Sequence, residues 1–446
     1  LGAYKKIKSY YYYDKTILYN KISLAMWESS SHSFVRRVER LAEFMCTLEG
    51  EIDYDYLTPL LRSVDLIPMP KAFDETTSDD IGILIQNSVP KKSTLSKVNF
   101  YIKAPVELLI LDAIWMILVG KIAYSQSAIS TCAYANKPKL DQLYFDNENL
   151  LDGTDFDSNR LFVPYFKQYT AWRNTAFRKI ESRYKQKKDS VLISLDLKSY
   201  YYSVTFDFDD LPRYLNDDAR LSEIASLTRI IRQIYIDYTS EMQKYRGAIP
   251  ANCQKGQCAL PIGLHSSMLI ANLYLYELDK AISEQVAPVF YGRYVDDILI
   301  VVDKPQDCEI TVTSILHETL VRKEIIKPKG AKEYSVLIPN TAPNYLTLQA
   351  NKIRCLYFDH NEPDALINLL CEASNIKASM SEGIQMPDIG FSERSFDEQA
   401  YSLGEKAGSL KVRNFLFSSN NYEATLFIND LIRASKNVDV NDSKHR

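Results

Sequence analysis

An α+β fold, an antiparallel sheet flanked by helices, is predicted by three features of this 446-residue chain. The first is Tyr291-Gly-Arg-Tyr-Val-Asp-Asp-Ile-Leu-Ile-Val-Val302, in which apolar residues flank two adjacent carboxylates. It is too short and too β-branched for a helix, so it reads as a hairpin with Val295 to Asp297 at the turn. The second is Ser190-Val-Leu-Ile-Ser-Leu-Asp196, an apolar strand that delivers Asp196 and then breaks into a turn containing Tyr200, Tyr201 and Tyr202. The third is helical periodicity around those strands, as in Phe34 to Phe44 and His265 to Glu284.

Composition narrows the class. With 25% charged and 46% hydrophobic residues the chain is globular, and its length suits two or three domains. The longest apolar run, Val106 to Val119, is interrupted by Glu107 and Asp112, so no membrane span is expected. The first residues carry no apolar signal segment and the cysteines number seven, an odd count without a Cys-x-x-Cys pair. Both point to free thiols in a reducing cytoplasm. Cys253 and Cys258 have only His265 near them in sequence, too few ligands for zinc. A net charge of -4 is low for a protein that grips nucleic acid, yet Trp172 to Lys188 sets Arg173, Arg178, Lys179, Arg183, Lys185, Lys187 and Lys188 against one acid, Glu181. That run is either a solvated helix face or a phosphate contact beside the strand of Asp196.

In chain order, residues 1–65 read as a helical extension that includes Tyr10-Tyr-Tyr-Tyr13. Leu66 to Phe73 is extended by its two prolines, and Asp74 to Asp80 is a loop. Ser88 to Ile102 reads as two strand arms around a Lys/Ser/Thr turn with Lys91, Lys92 and Lys97. Ala104 to Gly120 is a helix begun by a proline, with an apolar face. After Asp210 the pattern is helical through Tyr238, and Gly256 to Pro261 is a loop. Ile310 to Glu324 is a helix, Lys327 to Lys332 a basic turn, and Asn351 to Phe358 a strand. Helical segments follow near 363–376, 393–408 and 421–436.

Two buried acids destabilise a fold by several kcal/mol unless a cation lies between them. A divalent metal is the economical answer, against the alternative of a surface Asp-Asp turn. Asp196 supplies a third carboxylate from a neighbouring strand. Oxygen-only ligands suit Mg²⁺, or Mn²⁺, rather than zinc, and two such ions imply an in-line displacement at phosphorus.

Asp196 followed five residues later by the aromatic Tyr201, then Leu260-Pro-Ile-Gly-Leu-His to Leu275, then Tyr294-Val-Asp-Asp297, together resemble the palm of a reverse transcriptase. Ala133 to Lys137 and Leu161 to Arg173 are similar to the fingers of the bacterial defence-associated, or abortive-infection, group. The resemblance covers roughly residues 65 to 360. It implies a right-hand polymerase: a helical N-terminal extension (1–65), fingers (66–190), palm (191–360) and a helical C-terminal region (361–446). Asp196, Asp296 and Asp297 would be catalytic and would hold the ions with the carbonyl of Leu197. Tyr201 would lie under the sugar and exclude a 2'-hydroxyl. Lys92 and Lys97 would meet the triphosphate, with Gly263 in the turn where Ile262 replaces the family's glutamine. Lys329 or Lys332 would stand near the leaving pyrophosphate, and Arg173, Arg178, Lys179 and Arg183 on nucleic acid. The implied partners are dNTPs and nucleic acid, with a companion noncoding RNA, a second copy or a partner reverse transcriptase as further candidates. The implied role is antiphage defence. The other readings are template-independent or protein-primed synthesis on one of the N-terminal tyrosines, and a silent binding scaffold.

Overall fold

The computed structural model describes residues 1–11, 18–29, 31–73, 95–139, 160–245, 256–306, 308–330, 333–338 and 346–362. The C-terminal segments expected after residue 362, and Lys91, Lys92, Cys253 and Lys332, lie outside the described residues.

Helices α1 (Gly2–Ser9), α2 (Leu18–Glu28), α3 (Ser31–Thr47) and α4 (Tyr54–Arg62) form the expected helical start. Asp53 caps α4 by accepting the Tyr56 N–H at 3.0 Å. Ile7, Leu24, Trp27, Leu41, Phe44 and Leu57 bury their side chains in the core that also holds the centre of the molecule. Tyr10 and Tyr11 are buried too, their rings packed beside His265.

Strands β1 (Asp65–Phe73) and β2 (Leu95–Lys103) pair antiparallel, from Asp65 opposite Lys103 to Phe73 opposite Leu95. Of the two arms expected in Ser88 to Ile102, the second is β2, which takes the proline-bearing segment as its partner, and the first, with the turn, lies outside the described residues. Irregular register around Pro70 and Ala72 lets prolines, which lack an N–H, sit in this two-stranded ribbon. Helix α5 (Val106–Ser125) is buried on nearly every side, as an all-round apolar sequence requires. It is not a membrane span: among the described residues no helix is long and apolar enough to cross one.

Helix α6 (Tyr165–Lys185) leads into β3 (Ser190–Asp196), and a single helical turn, α7 (Tyr200–Ser203), follows. Next come the short β4 (Phe206–Asp207), α8 (Leu211–Tyr214), α9 (Ala225–Gln243), β5 (Gln257–Cys258), α10 (His265–Tyr274) and α11 (Tyr276–Ala281). The chain continues through β6 (Phe290–Tyr294), β7 (Asp297–Asp303), α12 (Val312–Leu316), β8 (Ile326–Pro328), β9 (Glu333–Val336), β10 (Thr347–Gln349) and β11 (Arg354–Phe358).

The central sheet has the order β11-β3-β7-β6, with every pair antiparallel. Alternation along its strands separates two faces. Leu192, Leu299, Val301, Phe290 and Phe358 meet Trp172, Ala176, Phe177 and Ile180 of α6. Val191, Ile193, Leu195, Ile298, Ile300 and Val302 join the larger core, to which α5, α9, α10 and α12 contribute. A smaller sheet, β10-β9-β8, is tied to the end of β3 by the Lys198 N–H to Thr347 carbonyl bond of 2.8 Å.

Gly292 in β6 allows α6 to approach this closely. A Cβ built there would lie 2.7 Å from Phe290 Cζ and 3.0 Å from both Trp172 Cδ1 and Tyr134 Cε2. A Gly292→Ala protein is therefore expected to lose about 1–3 kcal/mol of stability through overpacking, measurable by denaturant unfolding.

Candidate active site

Two adjacent strands bring the three aspartates together. In the β3–β7 register Asp196 lies directly opposite Asp297, and in the β6–β7 register Tyr294 lies opposite Asp297. Val295 and Asp296 thus form a two-residue turn, and Asp297 is already the first residue of β7. Val295 has φ +59°, a left-handed conformation that is a true outlier for a β-branched residue and costs about 1–3 kcal/mol. The turn is held in place from the next strand, whose Leu197 N–H donates to the Asp296 carbonyl at 3.1 Å. Leu197, expected as a carbonyl ligand, is thereby fixed against the acidic turn.

Burial, together with the charges of Asp296 and Asp196, pushes the Asp297 carboxyl far above its ordinary value, while Lys352 opposes the shift. Lys352 places Nζ 3.1 Å from both oxygens of Asp196. The sequence did not signal this contact. It joins residues 156 positions apart, and only the pairing of β11 with β3, Arg354 opposite Ser194, brings them together. Lys329, by contrast, lies in the turn after β8, its N–H bonded to the Glu333 carbonyl at 2.8 Å.

Tyr201 lies beside this cluster. Burial first, and then the Asp296 charge, raise its phenol well above the normal range, and the Asn136 amide hydrogen-bonds its hydroxyl. The segment is a helical turn rather than a continued strand, entered through Ser199 at φ +49°. Its neighbours still turn inward: Tyr200 donates to the Ala271 carbonyl at 2.7 Å, and the Tyr202 hydroxyl accepts the Phe100 N–H at 2.8 Å. Gly263 has φ +112°, and a Cβ there would stand 3.4 Å from Ile102 Cγ2. The Ile102 N–H donates to the Ile262 carbonyl at 2.9 Å, so this turn is fastened to β2. Lys97 is in β2, in register with Ala72.

The basic segment divides. Arg173 is buried, its guanidinium 5.5 Å from the Tyr169 ring centre, and Tyr169 and Trp172 both pack on Tyr294 of the acidic hairpin. Arg178 and Lys179 are exposed midway along α6. Arg183 forms a 2.9 Å ion pair with Asp303, whose register partner is Ser190. Ser190 and Asp196 are separated by the length of β3, about 20 Å at strand spacing. Helix α6 thus lies beside the strand of Asp196, through Trp172, Phe177 and Ile180 against Leu192, but runs along the sheet, so its most basic end is at the far end of β3 from Asp196.

Two buried polar networks set the frame. Asp112 of α5 accepts the N–H groups of His265 and Ser266 at 2.7 and 3.3 Å, and contacts His265 Nδ1 at 2.9 Å. It caps α10 from another helix, and His265, the first residue of that helix, is fully buried there. Arg293, one residue before Tyr294, is fully buried. Its Nε contacts the Asp279 oxygens at 2.8 and 3.0 Å, and its two terminal nitrogens reach the Asn272 side chain and carbonyl at 2.8 and 2.9 Å. Its backbone pairs with Cys132 and Tyr134. Burial raises the Asp279 carboxyl, and Arg293 counters that rise.

A second group of metal-binding type, Asp189, Asp359 and His360, has donor atoms within 4.8 Å of one another. It lies past the opposite end of β3, and in it Asp189 accepts His360 Nδ1–H at 2.7 Å and the Tyr357 hydroxyl at 2.8 Å. Among the described residues Cys46, Cys132, Cys308 and Cys355 are free thiols.

No curated protein matches this sequence. Residues 156–340, the stretch that contains Asp196, Tyr201, Gly263, Asp296 and Asp297, match the family described as reverse transcriptase (RNA-dependent DNA polymerase), and this domain supports RNA-directed DNA polymerase, a nucleotidyltransferase, as the activity of the chain.

Proposed function

We propose that this chain adds deoxynucleotides to a 3'-hydroxyl by two-metal transfer at Asp196, Asp296 and Asp297, in antiphage defence of the abortive-infection type. The observation that carries the catalytic part is the meeting of three carboxylates on adjacent strands, with Asp297 pushed toward its neutral form by burial and its acidic neighbours against the opposing charge of Lys352. An all-oxygen donor set of three carboxylates fits Mg²⁺ or Mn²⁺. Bound there, the ions would stabilise the attacking and leaving oxygens of an in-line displacement. The role of the chain is to hold the three acids rigid, with the Val295 turn pinned by Leu197. Tyr201 is the residue that supports deoxynucleotide choice in this reading: its buried hydroxyl is hydrogen-bonded by Asn136 and feels the Asp296 charge, which puts it beside the acids. Arg173, Arg178 and Lys179, with the fingers lysines Lys92 and Lys97, supply the phosphate contacts in this reading, and Arg183, tied to Asp303, contributes least.

The test is incorporation of each dNTP and NTP with Mg²⁺ or Mn²⁺. Truncating Tyr201 to Ala is expected to raise the NTP-to-dNTP ratio on the order of tenfold, the scale at which one small group is discriminated in a pocket. An unchanged ratio in a folded, active protein would sink the sugar-gate assignment. Sequencing the nucleic acid that copurifies at low salt separates the modes of synthesis: one defined RNA indicates templated copying from a companion RNA, and DNA linked to tyrosine indicates protein priming.

A further inference from the structure

We propose that Lys352 is the resident cation of Asp196, and that incoming metal and the Lys352 ammonium compete for the same two carboxylate oxygens. The inference rests on the metal reading above and adds a gate to it.

The ammonium is 3.1 Å from each oxygen of Asp196 and so covers the lone pairs that a bridging ion would need. The chain brings it there by construction. Lys352 ends the turn Ala350–Lys352 between β10 and β11, and both flanking strands are anchored to the strand that bears Asp196. β11 pairs with β3, placing Arg354 opposite Ser194, and β10 is joined through the Leu197–Leu348 bridge and the Lys198–Thr347 bond. The turn therefore crosses the end of β3 and lowers one lysine onto it.

The charges explain why a cation is needed and why it must leave. Three carboxylates repel one another, and one ammonium offsets part of that repulsion. Two divalent ions would neutralise the acids and repel the ammonium. The Lys352 side chain is 47% exposed, so its stem swings out without repacking the core. The freed charge would then be available to the anionic phosphate oxygens of a nucleotide held at the same acids. Lys352 is thus a positioning residue: on Asp196 before loading, and on the nucleotide phosphates after it. Lys198 provides an internal comparison, being two residues from Asp196 but paired with Glu333 at 2.6 Å.

The experiment is Mn²⁺ binding to the full chain without nucleotide, followed by the free-ion electron paramagnetic resonance signal, with thermal unfolding in parallel. Lys352→Met is expected to bind Mn²⁺ about fivefold more tightly than the parent, the worth of one half-exposed ion pair. Lys352→Arg, which keeps the charge on Asp196, is expected to bind no more tightly than the parent. Lys198→Met is expected to stay within about twofold, as a screened charge without direct contact should. Without metal, Lys352→Met should melt below the parent, and Mn²⁺ should erase the difference. Unchanged or weaker Mn²⁺ binding by Lys352→Met overturns the gate. So does equal tightening by Lys198→Met, or a melting deficit that Mn²⁺ leaves in place. A parent protein that binds no Mn²⁺ at all, with Asp296→Ala indistinguishable from it, removes the metal reading itself rather than the gate alone.

Discussion

An Asp297→Asn protein is expected to lose DNA synthesis by about a thousandfold, the rate equivalent of roughly 4 kcal/mol of lost charge stabilisation at the metals. The same substitution is expected to stabilise the metal-free fold. The folded-state carboxyl of Asp297 is raised above its unfolded value by burial and by Asp296 and Asp196. The linkage then runs in one direction: its contribution to stability is complete below the unfolded pKa, about 4, and is lost as pH rises toward the folded value. At pH 8 the variant should therefore melt above the parent in the absence of metal, and by a smaller margin once Mg²⁺ is added. Parallel incorporation assays and thermal melts at pH 5 and pH 8 check both halves. A variant that remains active would remove the catalytic assignment. One that is inactive and less stable at pH 8 would instead mark Asp297 as a structural residue.

The second large effect concerns Arg293. Removing its guanidinium in an Arg293→Leu protein leaves the buried Asp279 without its counter-charge, held by the Tyr291 hydroxyl, and strips the Asn272 side chain and carbonyl of their donors. A loss of about 3–5 kcal/mol is expected, because breaking a buried pair exposes the full desolvation penalty of the remaining charge. The site should suffer as well, since the same residue carries the backbone bonds that join β6 to the 132–134 segment. Denaturant unfolding of Arg293→Leu, Asp279→Asn and the double variant checks the assignment. The double variant should recover part of the loss, and strict additivity would show that the two groups do not act as a pair. Activity measured well below the melting temperature then separates a weakened frame from a damaged site.

The sequence by itself determined the acidic hairpin, the strand bearing Asp196 and most of the helices. These rest on alternation and turn chemistry within about ten residues, where each side chain's neighbours are its neighbours in the chain. It also showed, in motif order, the residues proposed for the site: three carboxylates, an aromatic five residues after the first, and a glycine whose φ of +112° only a residue without a Cβ adopts easily. Only the tertiary structure decided which cation meets Asp196. Sequence named no partner for Asp196, placing Lys329 or Lys332 only near the leaving pyrophosphate, and the register of β11 against β3 delivers Lys352 to it. Sheet order likewise decided that β2 pairs with the proline-bearing strand, that Gly292 must yield space to Trp172, and that α6 carries Arg183 away from the acids toward Asp303. The reason is common to all of these. A pairing between residues a hundred or more positions apart is selected by burial of whole faces against each other, and that selection leaves no mark in the residues on either side of any one of them.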